Sequence, residues 1–131
     1  MDSPMNRVLL IEDDQTVAES LKGALEVEGY EVVTATNAAE GLALVREGNS
    51  QAVVTDLNLC SPEATGMDIL KTLHATRPLL PVILITGRPE LRAQCSSIIE
   101  RDRYFEKPFD GQLLLAAVRT ALAGARPRGA A

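Results

Sequence analysis

Glu12, Asp13, Asp56, Thr86 and Lys107 each stand at the end of a short apolar or aromatic run in this 131-residue sequence. Three carboxylates brought together repel one another unless something positive sits between them. Hard oxygen donors with open positions suit Mg²⁺, which keeps several waters and prefers carboxylates combined with phosphate. A carboxylate is also a nucleophile toward phosphorus, and the product is an aspartyl phosphate. In such a transfer a cation neutralises charge on the moving group. An ammonium and a hydroxyl, here Lys107 and Thr86, would hold its equatorial oxygens.

These residues meet only if the runs before them are parallel strands. Arg7–Ile11 is apolar without alternation, the pattern of a strand covered on both faces, and it stops at Glu12-Asp13-Asp14. Further strands are expected at Tyr30–Ala35, at Ala52–Thr55 running into Asp56, at Pro81–Ile85 closed by Thr86-Gly87, and at Tyr104–Glu106 before Lys107-Pro108. Helical spacing joins Val17, Ala18, Leu21, Ala24 and Leu25, with Asp14 as N-cap and Gly29 as terminator. A second helix, capped by Asn37, carries Ala38, Leu42 and Val45 and ends at Gly48. A third carries Met67, Ile69, Leu70 and Leu73, and a weaker one spans Glu90–Ile99. The last runs from about Asp110 to Leu122 with Leu113, Leu114, Ala117, Val118 and Ala121 inside. Five strands alternating with five helices imply an α/β fold with a parallel sheet covered on both faces. Ligands of such sheets bind beyond the carboxyl ends of the strands, where the five residues stand.

The totals fit one domain with an aliphatic core, because there are two Tyr, two Phe and no Trp. No apolar run approaches the roughly 20 residues of a membrane span, so a cytoplasmic protein with no membrane contact is expected. Cys60 and Cys95 suggest neither a disulfide framework nor a metal knot, and free thiols are expected. Residues 1–70 hold three basic against thirteen acidic side chains, and residues 71–131 hold ten against five. An acidic half is compatible with a cation site. The basic half has scattered arginines without interleaved aromatics, so direct nucleic-acid binding is not expected.

The segments VLLIEDD, VVTDLNL, the glycine of TGMDIL, VILITG and YFEKPF together resemble the receiver domain of two-component response regulators, the chemotaxis-regulator-like class, over residues 6 to 123. The resemblance implies a flavodoxin-like (βα)5 doubly wound sheet in the order 2-1-3-4-5. It implies Asp56 as the phosphorylated residue. Metal ligation would come from Asp13 directly, from Glu12 largely through water, from Asp56, and from the backbone carbonyl of Asn58. Mg²⁺ is the implied metal, with Mn²⁺ as a substitute. Thr86 and Lys107 would bind the phosphoryl group, Tyr104 would turn inward with Thr86, and the bond before Pro108 would be cis. The implied partners are a histidine kinase or phosphotransfer protein and a downstream protein or fused output domain, with a leaning toward a weak homodimer. The surface implied to change is the fourth helix, fifth strand and fifth helix, about Arg88 to Leu122. Residues 1–123 would be the receiver and 124–131 a flexible tail or the start of a linker.

Two departures stand out. The segment DLNLCSPEATG places its glycine ten positions after Asp56 where the family usually has eight, and Cys60 takes the usual proline position. Arg101-Asp102-Arg103 replaces the usual Gly-Ala before the fifth strand. A phosphohydrolase with an aspartate nucleophile would need a second acid two positions after Asp56, where Asn58 stands. The expectation is therefore a phosphoacceptor switch, with slow self-phosphorylation from small donors and slow self-dephosphorylation, and not a turnover enzyme. A flavin module would need a hydroxyl- and glycine-rich loop after the first strand, and Glu12-Asp13-Asp14 is electrostatically the opposite. The alternatives kept are a degenerate receiver that docks partners without phosphorylation and a receiver fragment of a larger regulator or hybrid kinase. His74, the single histidine, is read as a surface residue.

Overall fold

The structure is a computed structural model, and it describes residues 6–57, 59, 65–88, 90, 93 and 103–124. Five strands, β1 (Arg7–Ile11), β2 (Glu31–Ala35), β3 (Ala52–Asp56), β4 (Val82–Thr86) and β5 (Tyr104–Glu106), form one sheet ordered β2-β1-β3-β4-β5. Every neighbouring pair is parallel. Among the described residues the helices are α1 (Gln15–Val27), α2 (Ala38–Glu47), α3 (Gly66–Thr76) and the last helix, α4 (Gly111–Gly124). The doubly wound flavodoxin-like order expected from the sequence is the order observed. The helix expected at Glu90–Ile99 lies almost wholly outside the described residues, as do Cys60, Cys95 and residues 125–131.

Alternation along the strands divides the core. Leu9, Ile11, Val53 and Leu84 pack with Ala38, Leu42 and Val45 of α2 and with Ile69, Leu70 and Leu73 of α3. Val8, Leu10, Val54, Ile83 and Ile85 pack on the other face with Leu21 and Leu25 of α1 and with Leu114, Leu115, Val118, Ala121 and Leu122 of α4. Each fully buried Leu or Ile contributes about 1.5–3 kcal/mol, so the three central strands are the heavily stabilised part of the sheet. The expected inward position of Leu113 is corrected: it is 61% exposed. The buried stripe of α4 follows Leu114, Val118 and Ala121, and one step back from Leu114 turns a side chain about 100° away from that stripe.

The ends are set by local chemistry. Asp14 accepts the Val17 N–H and caps α1, and Asn37 accepts the Glu40 N–H and caps α2. Gly48 closes α2 at φ +72°, where a side chain would be strained. α1 ends at Val27 with Glu28 as its C-cap, so Gly29, at φ +97°, lies one residue beyond the cap.

Candidate functional site

Backbone hydrogen bonds carry the parallel ladder past the strands and line up the residues that follow them. Glu12 N–H donates to Ala35 O at 3.0 Å, Leu57 N–H to Ile85 O at 2.9 Å, and Lys107 N–H to Thr86 O at 2.8 Å. The carboxyl edge of the sheet therefore presents Glu12, Asp56, Thr86 and Lys107 from β1, β3, β4 and β5. By the alternation that divides the core, Glu12, Asp56 and Lys107 belong to the α1–α4 face. Thr86 and Tyr104 belong to the opposite one.

Glu12 and Asp56 are each 1% exposed. The Lys107 ammonium donates to Asp56 Oδ2 at 2.7 Å and lies 3.0 Å from Glu12 Oε1. Glu12 Oε2 accepts the Asp14 N–H at 3.1 Å. Glu12, Asp13 and the Asp56 carboxylate each offer an oxygen within 4.8 Å of the others, with Asp13 facing solvent. Burial pushes the Glu12 carboxyl up to about 7; the Asp14 N–H and Lys107 oppose that rise, and the Asp56 charge adds to it. Burial alone would lower the Lys107 ammonium, but its bonds to Asp56 and Glu12 outweigh it and hold the group above its ordinary value.

An all-oxygen cluster that one ammonium only partly neutralises, open to solvent at Asp13, is the donor chemistry of a hard divalent cation. The residues present fit Mg²⁺. Asn58, the fourth expected ligand, lies outside the described residues.

The Thr86 hydroxyl is buried, accepts the Arg88 N–H at 2.9 Å and donates to Arg88 O at 3.4 Å. Tyr104 is half-buried and packs against the α2–α3 core, while Phe105 packs on the other face with its ring edge-on to Phe109, centroids 6.4 Å apart. The Lys107–Pro108 bond is cis. His74 is exposed on α3.

Two local devices went unread in the sequence. Thr65 and Asp68 form a reciprocal cap at the start of α3: Thr65 N–H donates to Asp68 Oδ2 at 2.8 Å, and Asp68 N–H to Thr65 Oγ1 at 3.3 Å. The spacing of Thr65 and Asp68, with Asp in place of the usual Glu, was the available signal. Gly66 presses against the Leu57 backbone, a contact that no local pattern announces.

Comparison with known proteins agrees with this fold. The family model described as response regulator receiver domain matches residues 8–119. The chain is similar to the uncharacterized transcriptional regulatory protein YkoG of Bacillus subtilis, 36% identical over 116 residues, covering 88% of this chain and 50% of that protein. It is also similar to the response regulator MprA of Mycobacterium leprae, 32% identical over 126 residues, covering 95% of this chain and 54% of MprA. The chain thus spans about half the length of these curated relatives. Among solved structures it resembles the response regulator TrrA of Thermotoga maritima in complex with Mg(2+)-BeF. That match has a TM-score of 0.78 and 30% identity, and covers 89% of this chain and 99% of TrrA.

Proposed function

Because this chain belongs to the response regulator receiver domain family of two-component systems, we propose that Asp56 is its phosphoacceptor and that its carboxyl-edge cluster is the switch site. The observation carrying the proposal is the buried Asp56 carboxylate, held 2.7 Å from the Lys107 ammonium and within 4.8 Å of Glu12 and Asp13 oxygens. Mg²⁺ is the proposed metal, with Mn²⁺ as a substitute. The TrrA complex with Mg(2+)-BeF supports the choice, since fluoroberyllate resembles a phosphoryl group in charge and shape.

Glu12, Asp13 and Asp56 would hold the ion, with the Asn58 carbonyl as a further donor, and the bound ion would neutralise charge on the transferring phosphoryl group. One Asp56 oxygen attacks phosphorus as the bond from phosphorus to the donor breaks. The donor leaves with that electron pair and takes its proton from water. Lys107 shifts from pairing the free carboxylate to pairing the new phosphoryl oxygens. Thr86 gives up its Arg88 bonds to donate its hydroxyl to the same group, and Tyr104, on the same side of the sheet, moves with it. Hydrolysis by water restores Asp56, so slow self-phosphorylation from small donors and slow self-dephosphorylation are part of the proposal.

The proposed donor is a histidine kinase or phosphotransfer protein. The readout is a downstream protein or fused output domain reached through the face from Arg88 to Leu122, and the proposed setting is the cytoplasm. Among the described residues no helix is long and apolar enough to cross a membrane. Residues 1–123 are proposed as the receiver, and α4 continues one residue further, to Gly124. Intact mass after incubation with acetyl phosphate or phosphoramidate, with Mg²⁺ or with EDTA, tests the proposal. One phosphoryl adduct is expected in wild type with Mg²⁺ and none in Asp56→Asn. The absence of any adduct from either donor, with no Mg²⁺ binding, would favour docking without phosphorylation.

A further inference from the structure

We infer that Gly66 is a positioning residue for the Asp56 site, fixing the backbone just after the phosphoacceptor by leaving no room for a side chain. The inference rests on the reading of Asp56 and its acidic neighbours given above. A Cβ on Gly66 would lie 2.5 Å from the Leu57 carbonyl oxygen and 2.8 Å from both Leu57 C and Leu57 Cα. These are backbone atoms, so they cannot swing aside as a side-chain tip does. The contrast with Gly41 is direct: there the nearest obstacle is the Ile11 Cδ1 methyl, at 2.8 Å.

Several other contacts hold the same stretch. The Gly66 N–H donates to Leu59 O at 3.1 Å, and the Leu57 N–H donates to Ile85 O at 2.9 Å. Leu57 and Leu59 bury their side chains in the α2–α3 core. The Thr65–Asp68 cap fixes the turn of α3 that carries Gly66. Leu57 and Leu59 are therefore held by β4 on one side, by the first turn of α3 on the other, and by their own side chains in the core. Residue 58, whose carbonyl is a proposed metal donor, stands between these two leucines in sequence. Residues 60–64 lie between the two held points, Leu59 and Thr65. The two additional residues of this segment therefore fall, in sequence, outside the stretch from Asp56 to Leu59 that these contacts hold.

The test is a calorimetric Mg²⁺ titration of wild type, Gly66→Ala, Gly23→Ala and a variant lacking Pro62 and Glu63, with Leu57 amide exchange followed without metal. Gly23 is the control because a Cβ there meets nothing within 4 Å. Gly66→Ala is expected to keep its far-ultraviolet circular dichroism but lose Mg²⁺ affinity on the order of tenfold or more, the usual cost of disturbing groups that support metal ligands. Its Leu57 amide should exchange faster before any metal is added. The shortened variant and Gly23→Ala should bind Mg²⁺ within about twofold of wild type. Unchanged affinity in Gly66→Ala would overturn the inference, as would a comparable loss in the shortened variant. If Gly66→Ala does not fold, the shortened variant decides alone. A wild type that binds no Mg²⁺, with Leu57 exchange still accelerated in Gly66→Ala, would sink the metal reading and support the backbone hold.

Discussion

Glu12 and Asp13 are neighbours in sequence with opposite surroundings: one is buried against Asp56 and Lys107, the other faces solvent. Glu12 binds its proton more tightly folded, near pH 7, than unfolded, near 4.5. Its contribution to stability is therefore complete below about 4.5 and is lost as pH rises through about 7. Without metal, Glu12→Gln should flatten that part of the stability profile, read from urea midpoints at pH 5 and pH 7.5. Mg²⁺ requires the ionised carboxylate, so wild-type affinity should climb over the same window. Lys107→Met removes the cation and leaves two buried carboxylates facing each other. Without metal, urea unfolding should show a loss of roughly 1–3 kcal/mol, less than for a fully buried pair because the lysine is partly exposed. Mg²⁺ should bind this variant more tightly, since no ammonium competes for the oxygens.

At the scale of elements, β1, β3 and β4 were legible because short, largely aliphatic runs end at a residue of the carboxyl-edge cluster. β5 was legible from the aromatic pair before Lys107. The positions of Asp14, Asn37 and Gly48 were readable because capping depends on one residue and its immediate neighbours. The phase of α4 was harder, as Leu113, Leu114 and Leu115 offer three adjacent leucines and local apolarity does not say which face meets the sheet. Gly66 was visible as a matching glycine, but its purpose depends on Leu57 arriving from another element. The burial of Glu12 and the exposure of Asp13 likewise follow from how β1 sits between β2 and β3. The α3 cap makes its own prediction. Thr65→Ala should destabilise the protein by about 1 kcal/mol in urea unfolding, with a smaller effect on Mg²⁺ affinity than Gly66→Ala because the glycine keeps its contact with Leu57.

Considered whole, the molecule is a close-packed aliphatic centre with an acidic edge that Lys107 only partly neutralises, and a cation at that edge should act on the entire fold. A ligand present at 100 times its dissociation constant adds about 2.7 kcal/mol to a two-state protein. Mg²⁺ should therefore raise the thermal midpoint in calorimetry, EDTA should reverse the rise, and Asp56→Asn should shrink it. A rise unaffected by Asp56→Asn would place the ion elsewhere.

Parallel order also has a consequence for synthesis. The residues of the cluster leave the ribosome in the order acidic pair, Asp56, Thr86, Lys107, and the lysine follows a strand only three residues long at the margin of the sheet. A nascent chain thus presents its carboxylates before their built-in counter-charge has been made. Such a chain lacks the complete cluster, so the proposed kinase donor, if it needs that cluster whole, would engage only finished copies.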